Sequence, residues 1–215
     1  MKKYELTEET VIVSGKTLYR IRAVRDFGSV KAGDLGGYIE KEENLSHCGE
    51  AWVCDNAEVC GYAEVCDNAK VCGYAEVCGY AEVSDDAVVS GDAVVSGNAR
   101  VCGEAWVCDN AEVCGNAKVS GNAKVSGKAC VCGDAEVSDT RHFFVQGPIG
   151  SRDGFVTFYR TKNNTVGVRC GCFSGSLQEF VDRVEETHGG SRYEKEYKLA
   201  AELAKVCIRL EGESR

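Results

Sequence analysis

The chain of 215 residues has one proline, three histidines and no long hydrophobic run. A membrane-spanning helix needs about 20 apolar residues, and a secretion signal needs an apolar stretch of about 7–15 that the polar N-terminus does not supply. We therefore expect a cytoplasmic protein with no membrane contact. The scarcity of proline excludes a collagenous or proline-rich chain. With only His47, His142 and His188, candidates for a general base are few.

A repeat of six residues dominates the middle of the chain. Alanine recurs at every sixth position from Ala51 to Ala135, and valine does so from Val53 to Val137, which makes fifteen units of the form Ala-x-Val-(Cys/Ser)-(Gly/Asp)-x. This period suits short strands with Ala and Val inside and a Gly or Asp corner that tolerates a left-handed backbone. Three strands close one triangular coil, so the repeat predicts a parallel β-helix of five coils and a mainly β fold.

Residues 48–139 resemble the hexapeptide-repeat left-handed β-helix family. This resemblance implies the left-handed winding and a homo-oligomer, most often a trimer. The preceding string LYRIRAVRDFGSVKAGDLGGYIE is similar to the N-terminal part of bacterial and phage or prophage hexapeptide-repeat proteins. Some of these are labelled polymer-forming cytoskeletal or hexapeptide-transferase-like. The resemblance implies a phage context.

The two ends of the chain lack the six-residue repeat. Residues 1–47 are interpreted as an N-terminal β cap with Leu45 already in the alanine slot, because the apolar end of a β-helix needs a cover. Residues 140–215 predict a βββαα module. Its expected elements are strands at about 142–147, 154–161 and 165–172, a helix that a capping box opens at Ser176 and that ends at Gly189, and a helix from about Tyr193 to Leu210.

Most of the fourteen cysteines occupy one slot of the repeat, which serine fills elsewhere. The ten slot cysteines are Cys48, Cys54, Cys60, Cys66, Cys72, Cys78, Cys102, Cys108, Cys114 and Cys132. Pairs eighteen apart, such as Cys48 with Cys66, would lie within disulfide reach, but the cytosol keeps thiols reduced. We interpret Cys and Ser as interchangeable small residues. Cys130-x-Cys132 and Cys170-x-Cys172 each supply half a metal site, so neither a metal nor a cofactor is predicted.

Charge is distributed unevenly along the chain. Residues 48–139 hold 5 Lys and Arg against 16 Asp and Glu, a net charge of −11, so direct binding of nucleic acid along the prism would meet repulsion. The acidic surface is open to two interpretations, mimicry of a nucleic acid and simple solubility. By contrast, residues 140–172 carry five basic residues against Asp153 alone.

This local positive charge predicts an anion site in the C-terminal module. The turn from Gly147 to Arg152 offers the amides of Gly147 and Gly150, the hydroxyl of Ser151 and the guanidinium of Arg152, with Thr157 and Arg160 on the next strand. The alternative interpretation is an ordinary hairpin turn with arginines paired to the acidic prism.

The segment CGEAWVCDNAEVCG occurs at both 48–61 and 102–115, an offset of three whole coils. Trp52 and Trp106 are therefore expected on one face of the prism, where they predict a contact between subunits. The alternative is two aromatic rings lying flat on a β surface.

An enzyme and a binding protein are the competing functional readings. Acyltransferases of the resembled family place a catalytic histidine in a cleft between neighbouring β-helices, whereas here every histidine lies outside the unbroken repeat and no loop is inserted. We therefore expect a non-catalytic accessory protein whose C-terminal module captures an anionic ligand, such as a nucleotide signal, to counter host defence. The alternatives are an acidic surface that blocks or mimics nucleic acid toward a host protein, and an acyltransferase-like enzyme.

Overall fold

The computed structural model describes residues 2–212, and its central part is a parallel β-solenoid of about six turns. The N-terminal elements are β1 (Tyr4–Val13), β2 (Lys16–Ala23), β3 (Leu35–Ile39) and a 3-10 helix at Glu42–Asn44. Fifteen two-residue strands follow: β4 (Trp52–Val53), β5 (Glu58–Val59), β6 (Glu64–Val65), β7 (Lys70–Val71), β8 (Glu76–Val77), β9 (Glu82–Val83), β10 (Val88–Val89), β11 (Val94–Val95), β12 (Arg100–Val101), β13 (Trp106–Val107), β14 (Glu112–Val113), β15 (Lys118–Val119), β16 (Lys124–Val125), β17 (Cys130–Val131) and β18 (Glu136–Val137). The C-terminal elements are a 3-10 helix at Thr140–His142, β19 (Phe143–Ile149), β20 (Gly154–Arg160), β21 (Val166–Cys170), β22 (Phe173–Ser176), α1 (Leu177–His188) and α2 (Arg192–Cys207).

The short strands stack into three parallel sheets, as the repeat predicts. Each strand pairs with the strand one turn later, for example Val53 with Val71, and the alanine and valine of every unit are buried. We call β4, β7, β10, β13 and β16 the tryptophan face, and β5, β8, β11, β14 and β17 the glutamate face, after their outward residues. The strands of Trp52 and Trp106 lie on one face three turns apart, which confirms that expectation.

Glycine and aspartate share the corners for a physical reason. Gly73 has φ +76°, and a Cβ there would lie 3.0 Å from the backbone nitrogen of Gly91 on the next turn. Asp85 takes the same left-handed conformation at φ 58°. Its carboxylate accepts a hydrogen bond from the Gly103 N–H at 2.8 Å. An aspartate at a corner thus satisfies an amide of the following turn, which offsets its less favourable backbone conformation.

The N-terminal strands extend the glutamate face and satisfy the first turn. β1, β2 and β3 are antiparallel, and β3 pairs in parallel with β5. The carbonyl of Ala51 accepts from Lys3 Nζ at 2.7 Å, and that of Ala63 accepts from Asn44 Nδ2 at 2.8 Å. Burial, aided by Arg25, lowers the pKa of Lys3 to about 8. A lysine is placed in the interior here because the first turn presents carbonyls that have no preceding turn to pair with.

Two expectations about the first turn are wrong. Leu45 pairs with Val65, so it occupies the valine position and not the alanine slot. The Ser46 N–H donates to Val65 in the way that the Cys66 N–H donates to Val83. Ser46 therefore stacks beside Cys66, and the predicted neighbour, Cys48, lies in a corner with two additional residues.

The two tryptophans have different environments. Trp52 is only 5% exposed, because it packs edge-on against Tyr4 and Phe27 of the N-terminal segment. Trp106 is 44% exposed, and its indole N–H donates to Ser90 Oγ at 3.2 Å. Of the predicted contact pair, Trp106 alone is available to another molecule.

The C-terminal module has four antiparallel strands where the sequence predicts three. The added strand, β22, pairs with β21 after a turn at Gly171. Its sequence Phe-Ser-Gly-Ser lacks the β-branched residues that mark a strand, which is why it was missed. The capping box at Ser176 and Glu179 opens α1 as predicted, and both helices pack on the sheet around Phe158 and Phe180.

The module closes the last turn of the solenoid through β20 and the short helix before it. The Cys130 N–H donates to Thr157 Oγ1 at 2.9 Å, and the Ser138 N–H donates to His142 Nδ1 at 3.1 Å. In the other direction, Arg160 Nε donates to the Glu136 carbonyl at 3.1 Å. These contacts supply partners for groups that have no following turn to pair with.

His142 makes this closure sensitive to pH. Burial, together with nearby Arg160, lowers the pKa of His142 below its ordinary value, so the folded chain favours the neutral ring that accepts from Ser138. As pH falls from 7 to 5 the unfolded chain binds a proton that the folded chain resists, and the free energy of unfolding should fall. Chemical denaturation should show this fall to be smaller in His142→Asn, which keeps an acceptor but does not titrate. Parallel pH profiles would contradict this role.

Candidate functional site

The predicted anion site is not assembled as one site in the structure. The Gly147–Arg152 segment comprises the end of β19 and the turn before β20, where the Gly150 N–H donates to a Glu196 carboxylate oxygen at 2.8 Å. Ser151 and Arg152 are exposed beside it. The Gly150 amide, one of the two expected to hold an anion, is therefore occupied by a carboxylate of α2.

Thr157 and Arg160 lie toward the other end of β20, buried against the solenoid. The guanidinium of Arg160 also contacts Ser138 Oγ at 3.3 Å and a Glu211 carboxylate oxygen at 3.1 Å. The alternative interpretation, in which arginine pairs with the solenoid, describes Arg160 better than anion binding does. Sequence reasoning misplaced this residue because nothing in the pattern of β20 shows that it crosses the end of the solenoid.

A groove lies where the glutamate face meets the C-terminal sheet, and we call it the junction groove. It has a volume of about 480 Å³, and its lining residues are Asn110, Glu112, Lys128, Ala129, Cys130, Phe155, Thr157, Arg169 and Gly171. Lys128 Nζ lies 4.9 Å from the centre of the Phe155 ring. The groove therefore presents two basic side chains and an aromatic ring against one carboxylate. Of the predicted site residues, Thr157 alone contributes to it.

Three thiols converge beside the junction groove, and we call Cys114, Cys130 and Cys132 the thiol cluster. Their sulfur atoms all lie within 4.8 Å of one another. Cys114 and Cys132 fill the cysteine slot on successive turns. Cys130 instead takes the outward strand position, which holds a cysteine in no other unit. Sequence analysis paired Cys130 with Cys132 but missed Cys114, although its separation of eighteen residues from Cys132 was a visible signal.

The C-terminal module surrounds the thiol cluster with polar groups. The buried Cys132 sulfur lies 3.4 Å from Tyr159 Oη and 3.9 Å from Ser174 Oγ. Hydrogen bonds from the thiols of Cys114 and Cys130 lower the pKa of Cys132, and burial opposes them. Hydrogen bonds with Cys114 and Cys132, together with burial, raise the pKa of Cys130. Within the cluster, the Cys132 thiol is therefore easier to ionise than the Cys130 thiol.

The other slot cysteines fall into two groups. Cys54 and Cys72, one turn apart, form a disulfide, contrary to the expectation that the thiols stay reduced. Cys60 and Cys78 are also stacked, and a hydrogen bond from Cys60 lowers the pKa of Cys78 to about 7. By contrast, Cys102 and Cys108 have slot neighbours that are serines.

No family model and no curated protein matches this chain. Function is therefore inferred from the residues themselves. Among residues 2–212, no helix is both long and apolar enough to cross a membrane.

The positions of the two arginines lead to opposite predictions for stability. Arg160→Gln should lower the free energy of unfolding by about 1–3 kcal/mol, because it removes the partner of the part-buried Glu136 carbonyl and the buried guanidinium that contacts Ser138. Arg152→Gln, a matched change at an exposed side chain, should alter it by less than ~0.5 kcal/mol. Urea denaturation under reducing conditions measures both. Equal stabilities for the two variants would show that Arg160 does not hold the junction together.

Proposed function

We propose that the protein is a non-catalytic binding scaffold whose junction groove captures an anionic, nucleotide-type ligand. One observation carries this proposal: Arg169, Lys128 and the aromatic ring of Phe155 line one groove between the solenoid and the C-terminal sheet. Its volume of about 480 Å³ falls within the range of about 300–1,000 Å³ usual for small-molecule sites. The sequence predicts this class of ligand at the Gly147–Arg152 turn, and we propose that the same class of ligand binds in the junction groove instead.

The lining residues suit the parts of a nucleotide. Arg169 offers the planar guanidinium that pairs with a phosphate through two hydrogen bonds, and Lys128 adds a second positive charge. The Phe155 ring offers a stacking surface for a base. Asn110 and Glu112 supply an amide and a carboxylate that can accept hydrogen bonds from amino or hydroxyl groups.

Capture rather than turnover is supported by what surrounds the groove. None of the described residues that line it is a histidine, and His142 is buried against Ser138 at the end of the solenoid. Of the thiol cluster, only Cys130 lines the groove, and its pKa is raised, whereas Cys132 lies beneath Tyr159 and outside the lining. A captured ligand should be released chemically unchanged.

The proposal includes a homotrimer in which two different faces meet. Beyond the covered Trp52, the tryptophan face presents Lys70, Val88, Trp106 and Lys124, while the glutamate face presents Glu58, Glu76, Val94 and Glu112. Burial and neighbouring Glu76 raise the pKa of Glu58, so a lysine from a second copy would relieve unfavourable electrostatics there. Opposite charges flanking apolar centres favour a head-to-tail contact that closes into a ring.

The remaining parts of the proposal come from the sequence. The left-handed winding and the phage context follow from the resemblance stated for residues 48–139 and the segment before them. Five regular coils follow from the fifteen units, a capping role for the N-terminal segment from the apolar end that needs a cover, and a cytoplasmic location from the polar N-terminus and the lack of a long apolar run. In a phage context, sequestering a nucleotide signal would counter a host defence that depends on it.

Ligand capture is tested by titrating a panel of linear and cyclic nucleotides into reduced, metal-free protein by calorimetry. At least one member should bind, and Arg169→Gln or Lys128→Gln should weaken it by about ten-fold to a hundred-fold, because each removes a charge-assisted contact. Arg141→Gln, at an exposed arginine outside the groove, is the matched control. An absence of heat with every nucleotide would end the proposal, and equal loss in the control would place the site elsewhere.

The trimer is tested by light scattering on Trp106→Asp. This change introduces a charge at the centre of the tryptophan face, so the mass should fall from that of three chains toward one. Lys118→Glu, an exposed charge reversal on the third face, should leave the mass unchanged. A monomeric parent, or a trimer that survives the Trp106 change, would contradict this interface.

A further inference from the structure

We propose that the thiol cluster is a binding site for one zinc ion, held by the sulfur atoms of Cys114, Cys130 and Cys132. This site shares Cys130 and Glu112 with the lining of the junction groove, but it uses none of the groove's basic side chains as ligands, so metal binding and anion capture can be tested separately. It reverses the expectation that the chain holds no metal site.

The geometry suits zinc. Tetrahedral zinc with Zn–S bonds of about 2.3 Å places its sulfur ligands ~3.8 Å apart. The three sulfur atoms already lie within 4.8 Å of one another, so small side-chain rotations bring them to the required separation. The Glu112 carboxylate lies 3.6 Å from the Cys130 sulfur. A carboxylate oxygen or a water molecule can therefore complete the fourth position.

The backbone holds the ligands in place before the metal arrives. The Cys114 N–H donates to the Val131 carbonyl at 3.0 Å, which fixes one turn on the next. The Cys130 N–H donates to Thr157 Oγ1 at 2.9 Å. Because solenoid packing and the docked module set these positions, binding does not have to order a flexible loop.

The groups around the thiol cluster also suit the net charge that the site would carry with zinc bound. Each Zn–S bond replaces an S–H bond, so three protons pass to solvent and zinc with three thiolates carries a net charge of −1. Arg169 lines the same groove as Cys130, and its positive charge balances that excess. Tyr159 and Ser174 lie within reach to donate hydrogen bonds to the Cys132 sulfur, the kind of outer support that metal ligands require. Zinc would thus pin β20–β22 to the last turns of the solenoid.

The test compares Cys130→Ser with Cys102→Ser in the full chain. Cys102 is a slot cysteine outside the cluster, so its variant controls for the loss of one thiol. Reduced protein is stripped with a chelator and titrated with Zn(II) against a competing chromogenic chelator, and bound metal is counted by elemental mass spectrometry. The parent and Cys102→Ser should each bind one zinc more than Cys130→Ser, or bind that zinc at least ten-fold more tightly, which corresponds to about 1.4 kcal/mol. Equal stoichiometry and affinity in all three proteins would overturn the proposal.

Cysteine alkylation followed by mass spectrometry provides a second measurement, on the unaltered protein. Zinc should slow the labelling of Cys114, Cys130 and Cys132, while the exposed Cys172 should react at the same rate with and without metal. Unchanged labelling of the three cluster cysteines would reject the site, whatever the variants do. Lys128→Gln separates the two proposals, because Lys128 lines the groove and has no part in the zinc site, so this variant should impair nucleotide binding while the protein still holds zinc.

Discussion

The polarity of the hydrogen bonds between turns is the constraint on which the rest of the structure depends. Outward strand residues donate their N–H groups to carbonyls of the next turn, as Trp52 does to Ala69 and Glu58 does to Ala75. The first turn therefore presents carbonyls with no preceding turn, and the last turn presents groups with no following turn. Buried groups of this kind must find partners, because leaving one unpaired costs about 1–3 kcal/mol.

The two ends answer this requirement with different partners, although at the C-terminal end Arg160 also donates to a carbonyl. At the N-terminal end the new partners are donors, and Lys3 and Asn44 reach into the interior to meet carbonyls. At the C-terminal end they include the acceptors Thr157 and His142, which meet amides. This division explains why a lysine and a histidine, each less readily protonated than usual, lie at the two ends of an otherwise apolar core.

Closure of the last turn also brings together the residues best suited to bind a ligand or a metal ion. The outward position of β17 holds Cys130, and β20 docks on it through Thr157. This docking places Arg169 and Phe155 across the junction groove from Lys128. The solenoid alone presents similar side chains from one unit to the next, whereas the junction combines side chains that no single unit contains. Ligand capture and zinc binding are both proposed there for this reason.

The regular part of this fold was predictable because one local pattern, repeated without error, specifies every strand, corner and core position. Trp52 and Leu45 were misjudged because contacts outside the repeat decide their environments: Tyr4 and Phe27 cover the first, and a two-residue irregularity shifts the second. The junction groove was not predictable. It joins residues 110–130 to residues 155–171, and nothing in either segment encodes where β20 crosses the solenoid.

The docking of β20 on the last turn is tested most directly by site-resolved hydrogen exchange of Thr157→Val. This nearly isosteric change removes the acceptor of the Cys130 N–H. That amide and its neighbours in the last turn should exchange faster than in the parent, while the interior turns, such as those of Trp106 and Val88, keep their protection. Unchanged exchange at Cys130, or faster exchange spread evenly along the solenoid, would contradict the view that the module closes this end.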